Sequence, residues 1–281
     1  MSNRSITNIA PVVASGVLLA VVGTFLFALK SIFIKLAFAA GATPVLLLTL
    51  RMLFAFPLYV MVLAYQPNSA SHEPLKLSLA ARSFGLGFLG YYLASYLDLT
   101  GLSYITAQLE RLTLFTYPTM VAFLAWMFLG EQINKRIITA ILCTYAGVLL
   151  MYGQERMFSS GDDVGFGVIL VLGSALSYSL YVLFAKPTMQ RIGSRRFTSL
   201  AMIGSTFFVI VHYACTHPIS DLFGVAPIVF VYGLILAFVC TVIPSFMINE
   251  AILRIGATRT TVIGSVGPVL TMLMAIMVLH E

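Results

Sequence analysis

Nine predominantly apolar stretches, each close to the length of a bilayer crossing, follow one another with only short polar connections. They cover about 12–38, 44–64, 83–99, 104–129, 134–152, 165–186, 197–216, 225–247 and 257–280. A helix needs about 20 apolar residues to cross the hydrocarbon. Inside lipid, only a helix or a closed barrel satisfies its own backbone polar groups. The pattern therefore predicts an all-α polytopic membrane protein. Composition agrees: 60% of residues are hydrophobic and only 9% charged, against about a quarter charged in a soluble domain. The first stretch is too long for the apolar region of a signal peptide, and further spans follow it, so it reads as a retained span.

The net charge of +6 does not point to nucleic acid. The Lys and Arg residues lie in short clusters between apolar runs, not on a basic face interleaved with aromatics. Their partner is expected to be anionic lipid headgroups. With the N-terminus in the cytoplasm, Lys76, Arg82, Lys135, Arg136, Arg195 and Arg196 all fall on the inner side, as do Arg254 and Arg259. The opposite loops then carry Arg156 beside acidic Glu155, Asp162, Asp163 and Asp221. Only this topology obeys the positive-inside rule, so a cytoplasmic N-terminus is expected. Cys143, Cys215 and Cys240 sit inside apolar runs without metal-ligand or redox spacing, so no metal or other cofactor is expected. HExxH, Walker A, GxSxG and GxGxxG patterns are absent from the sequence, which argues against an enzyme and against ATP-driven transport by this chain alone.

Shifting the chain by 150 residues lays 105–131 on 255–281. Ile105, Ala107, Pro118, Ala125, Met127, Leu129 and Glu131 then meet identical residues, ending on Pro268 and Glu281 among them. A unit of five helices is odd, so a second copy would be inverted relative to the first, an arrangement recurrent among transporters. The expected organisation is a first repeat of five helices over 1–152, an outer loop over 153–164, and a second repeat of helices six to nine over 165–281. The tenth helix is expected to be missing from this chain.

"RLTLFTYPTMVAFLAWMFLGE", its echo "TVIGSVGPVLTMLMAIMVLHE", and "KSIFIKLAFAAG" near the end of the first span resemble the EamA family of the drug/metabolite transporter superfamily. The resemblance implies ten helices in two inverted five-helix repeats, cytoplasmic termini, and export of small metabolites such as amino acids across a bacterial inner (plasma) membrane. The sequence departs from that family at Phe27-Ala28, where a Trp-Gly pair is common, at the following Lys30, and at His280-Glu281 in place of Gly-Glu.

Charges inside hydrocarbon are costly and seek partners in the bundle interior. Glu110 and Arg111 are neighbours, so they point about 100° apart on a helix and each is expected to reach another helix. Asp98, Lys30, Lys35 and Arg51 lie in the same outer half. A structural ion network and a substrate or proton site are both open readings for the pair. Glu110, Thr113 and Tyr117 share one predicted helix face, and Arg111, Phe115 and Pro118 a neighbouring one. Pro118 is expected to free the carbonyl of Leu114, and Pro268 that of Gly264, making these the candidate hinges. Glu131 and Glu281 are expected to cap helices. Tyr92, Tyr96, Tyr178 and Tyr181 are candidates for an amphipathic cavity lining, while Tyr59, Tyr65 and Tyr152 are expected in the interfacial belts. Glu250 and Arg254 form an i,i+4 pair, and the neighbouring Asn249 is a candidate gate or substrate contact.

The combined expectation is a secondary carrier or facilitator exporting a small amphipathic, amino-acid-like metabolite by alternating access, as a monomer or homodimer in the lipid bilayer. Lys30, Tyr92, Tyr96, Glu110, Arg111, Tyr117, Tyr178, Tyr181 and Asn249 are its candidate substrate contacts. A non-transporting scaffold and a multispan enzyme acting on lipid substrates are the alternatives.

Overall fold

A computed structural model describes residues 9–65, 73, 75–130, 132, 135–158, 163–222, 224–264 and 266–279. The helices are α1 (Ile9–Ala28), α2 (Lys30–Ala39), α3 (Pro44–Ala64), α4 (Leu77–Gly87), α5 (Ala94–Leu102), α6 (Ala107–Leu114) and α7 (Tyr117–Leu129). They continue with α8 (Lys135–Phe158), α9 (Val164–Ile192), α10 (Ser194–Thr216), α11 (Pro227–Ala237), α12 (Ile243–Ile255), α13 (Ala257–Gly264) and α14 (Gly267–Met274). Wider, π-helical turns at Phe88–Leu93 and Phe238–Val242 join α4 to α5 and α11 to α12 without a break, and a third, Ala275–Leu279, follows α14.

Among the described residues, six helical runs are long and apolar enough to cross a membrane: Val12–Ala39, Pro44–Ala64, Val164–Ile192, Ser194–Thr216, Pro227–Ile255 and Arg259–Leu279. The other three expected spans are helical too, over 77–102, 107–129 and 135–158, the second with an interruption. The bundle is turned inside out relative to a soluble protein. Leu18, Leu142, Leu149 and Leu150 are exposed, while Asp98, Glu110 and Asn249 are buried. That distribution belongs in lipid, where apolar side chains face the solvent and polar groups find partners inside. The chain is an all-α polytopic membrane protein.

Element boundaries recur 150 residues apart. Helix α4 begins and ends at 77 and 87, α11 at 227 and 237; α6 spans 107 to 114, α13 spans 257 to 264. Helices α3 and α10 begin at 44 and 194, and the first two π-helical turns at 88 and 238. Contacts follow the same exchange: α5 packs on α9 as α12 packs on α1, and α4 packs on α10 as α11 packs on α3. The turns differ in chemistry at matching positions. Thr43 and Thr106 cap α3 and α6 through their hydroxyls, accepting from the Leu46 and Leu109 amides. Gly193 and Gly256 stand at the corresponding points with φ of 85° and 88°, a conformation that excludes side chains. The repeat is broken at Leu29, which separates α1 from α2, whereas α9 runs unbroken past the matching residue 179.

Several expectations need revision. Tyr59 is not in an interfacial belt; it is wholly buried, with its hydroxyl 2.9 Å from Ser245 Oγ. Its position on the α3 face that meets the other half pulls it inward. Tyr65 is exposed, as a belt residue would be. On the side expected to be cytoplasmic, Arg191 donates from Nε and Nη2 to Glu73, both at 2.9 Å, and this fork holds the Glu73 carboxyl below its ordinary value. Glu250 accepts from Arg254 Nε at 2.8 Å, as expected, and also from Ser194. Glu131 and Glu281 lie outside the described residues.

Small residues let helix backbones approach closely where lipid supplies no hydrophobic drive between them. A Cβ added at Gly87 would fall 1.9 Å from the Ala201 carbonyl oxygen, a backbone atom that cannot swing aside, whereas Gly85 has open space. Gly87→Ala should cost about 1–3 kcal/mol and lower the melting temperature in detergent. Gly85→Ala should be neutral or stabilise by about 1 kcal/mol. Equal melting temperatures for the two variants would refute the assigned packing of α4 on α10.

Candidate functional site

Two helix interruptions build the centre of the molecule. Where α1 stops at Ala28 its last carbonyls need partners. The Phe27 carbonyl accepts from Arg111 Nη2 at 3.2 Å, and the Ala28 carbonyl accepts from Thr271 Oγ1 at 3.0 Å. The second interruption separates α6 from α7 at Phe115–Thr116. Here the structure corrects an expectation. Pro118 does not sit inside a continuous helix but in the first turn of α7, and Pro268 in the first turn of α14. A first-turn proline gives up an amide that has no intrahelical acceptor anyway. The proline starts the next helix. Glu110 and Tyr117 consequently belong to different helices and share no stripe.

Around these breaks the buried charges interlock. Lys30 Nζ lies 2.5 Å from Asp98 Oδ2, joining α2 to α5. Ser31 Oγ donates to Glu110 Oε2 at 2.7 Å and accepts from Arg111 Nη2 at 2.6 Å. Arg111 Nε lies 3.9 Å from Glu110 Oε2. As expected, both members of the Glu110–Arg111 pair reach another helix, and one serine serves both. Ser31 was overlooked at the sequence level, because a lone serine in an apolar helix carries no signal until a partner is known.

Beside this network lies a cavity of about 130 Å³. That is room for roughly ten waters or one small solute. Lys30, Arg51, Asp98 and Arg111 supply charge, and Thr24, Ser95, Thr241 and Thr260 supply hydroxyls. Phe27, Phe115, Tyr91, Tyr117 and Tyr178 form the aromatic wall. Tyr117 and Tyr178 meet edge to face at 5.3 Å between ring centres. Such a lining suits a solute with one polar end and an apolar body.

Of the sequence candidates, Lys30, Arg111, Tyr117 and Tyr178 line this cavity, while Glu110 stands behind Ser31. Tyr181 and Asn249 lie in an adjoining knot rather than in the lining. Tyr181 donates to Asn249 Oδ1 at 2.7 Å, and Asn249 Nδ2 donates to Tyr91 and to Thr198, each at 2.9 Å. The knot ties α9, α10, α12 and the first π-helical turn together. Tyr92 and Tyr96 are turned away, packing on His212; the Tyr92 hydroxyl is 3.1 Å from its Nδ1. Both sit on the π-helical stretch or just beyond it, where an ordinary helical count misplaces the faces. Tyr91, one residue earlier, takes the inward position. The serines facing this stretch satisfy its carbonyls: Ser177 Oγ donates to Leu89 O and Ser174 Oγ to Ala94 O, each at 2.7 Å. Arg51 and Asp98, named at first only as possible partners, are lining residues in their own right.

Removing one member of a buried ion pair strands the other, at about 3–5 kcal/mol. Lys30→Met and Asp98→Leu should each lower stability by about that much. The double variant should lose at least about 1 kcal/mol less than the two single losses combined. Strict additivity in chemical denaturation would show that the two side chains do not pair.

The chain matches the EamA-like transporter family in two stretches, 14–153 and 165–281. It is 29% identical over 275 residues to the uncharacterized transporter YcbK of Bacillus subtilis, covering 95% of this chain and 86% of the relative. It is 26% identical over 247 residues to the uncharacterized transporter sll1319 of Synechocystis, covering 84% of this chain and 72% of that one. A shorter similarity, 30% over 117 residues, covers 42% of this chain and 40% of an undecaprenyl-diphosphatase of Salinibacter ruber. A crystal structure superposes with a TM-score of 0.68 at 14% identity, covering 94% of this chain and 88% of that one, a likeness of fold alone. With both family matches together extending over most of its length, the chain belongs to the EamA-like transporter family.

Proposed function

We propose that this membrane transporter exports a small amphipathic, amino-acid-like metabolite by alternating access through the central cavity. The observation that carries this reading is the cavity itself. A polar and aromatic chamber at the heart of a bundle with an apolar exterior costs stability unless a solute uses it. The broken helices lie beside it, and Arg51, Arg111 and Thr241 bring side-chain donors into its lining. The 150-residue recurrence of helix ends and the exchanged contacts support two inverted five-helix units that rock about the chamber. The interruptions before Pro118 and Pro268 are the natural flexing points. The distribution of Lys and Arg supports a cytoplasmic N-terminus, and the bacterial relatives of the chain support an inner-membrane location.

Tracer flux in proteoliposomes tests this reading. Ser95 lines the cavity, whereas Leu142 is exposed on the outside of α8. Ser95→Trp should fill the chamber and lower flux at least tenfold with a normal melting temperature. Leu142→Trp should leave flux within twofold. No flux for any amino acid or related metabolite would favour a scaffold. Phosphate release from undecaprenyl diphosphate by the purified chain would favour the enzyme reading.

A further inference from the structure

We propose that Arg51 is the anion-receiving group of the cavity, and that the solute is an organic monoanion that docks its carboxylate there. This rests on the reading of the chamber as a solute path and assigns its chemistry.

The three cations of the cavity are not equivalent. Lys30 is held by Asp98, and Arg111 by Ser31, the Phe27 carbonyl and Glu110. Arg51 on α3 is 3% exposed, yet its Nε and Nη2 have no hydrogen-bond partner among the described residues. Asp98 is the acid that acts on it, but Asp98 spends Oδ2 on Lys30, and its Oδ1 makes no hydrogen bond to Arg51. Lys30, Arg51 and Arg111 against Asp98 and Glu110 leave the cluster one positive charge in excess when both acids are ionised. A guanidinium in hydrocarbon without a counterion is expensive, which favours binding of one negative charge from outside the chain.

The unpartnered atoms also have the right shape. Nε–H and Nη2–H form one edge of the guanidinium fork, which matches the two oxygens of a carboxylate. The same edge of Arg191 grips Glu73 in this protein, with both bonds at 2.9 Å. A second donor stands in the same cavity. Thr241, on the π-helical turn that packs against α3, is 3% exposed and its hydroxyl is likewise without a partner. Arg51 and Thr241 thus offer three donors to one anionic group, while Tyr117, Tyr178 and Phe115 receive the apolar body.

The test is binding to the purified full chain in lipid-free detergent, read by thermal shift. Acetate, butyrate, 3-phenylpropionate and indole-3-acetate are each compared with the corresponding neutral amide. At least one acid should bind tenfold or more tighter than its amide. That preference should fall to within twofold in Arg51→Gln and survive in part in Arg51→Lys. Should Arg51→Gln not fold, Thr241→Val serves instead, and should weaken the acid about threefold while leaving the amide unchanged. No acid preference, a preference unaltered by these variants, or stronger stabilisation by inorganic phosphate or phosphatidylglycerol than by every acid would overturn the assignment. Flux without acid preference would remove this assignment and leave the transport reading standing. Arg51-dependent acid binding with no flux would do the reverse.

Discussion

The charge network between α2, α5 and α6 is the constraint to which the rest of the molecule answers. Charges at this depth are tolerable only when each finds a partner. Lys30 and Asp98, and Ser31 between Glu110 and Arg111, meet that condition by joining three helices. The consequences run outward from there. Arg111 also satisfies a carbonyl released where α1 ends, so the charges and the broken backbone support each other. Polar groups unable to find a place in lipid are concentrated on one side of the break, and the cavity opens among them.

The two halves of the bundle repeat each other in their boundaries but not in their chemistry. Both have the π-helical turn, the short helix and the proline-started helix at the same spacing. Only the first half interrupts its leading span, and only it carries the buried pair at the head of α6. At the matching points of the second half stand Thr260 and Thr261. The shared features shape the bundle. The unshared ones make the chamber asymmetric, with Lys30, Asp98 and Arg111 supplied by the first half and Thr260 and Thr261 by the second.

Much of this could be read before any coordinates. The all-α membrane class, the interior placement of Glu110 and Arg111, and the local pairing of Glu250 with Arg254 follow from hydropathy, the cost of burying charge, and helical spacing. The assignment of aromatics failed where the helix itself departs from regular spacing. In the π-helical stretch at Phe88–Leu93 each turn takes an extra residue. Tyr91 therefore faces inward, and Tyr92 and Tyr96 turn toward His212. Sequence alone gives no warning of such a stretch. Tyr59 was misjudged for a different reason, since an aromatic near a span end looks the same whether it meets headgroups or another helix.

By itself the sequence determined that the chain is a helical membrane protein, that it repeats at 150 residues, and that charges near Glu110 must be paired. Those conclusions need only composition, period and the low dielectric of lipid. Which charge pairs with which was decided by tertiary structure, because partners lie far apart in the chain, 68 residues for Lys30 with Asp98 and 118 for Glu73 with Arg191. The contrast between Arg111, whose Nη2 bonds Ser31 and the Phe27 carbonyl, and Arg51, whose Nε and Nη2 are both without a partner among the described residues, exists only once α3 is packed against the other half. That contrast is a property of packing, which decides the partners that a buried cation finds.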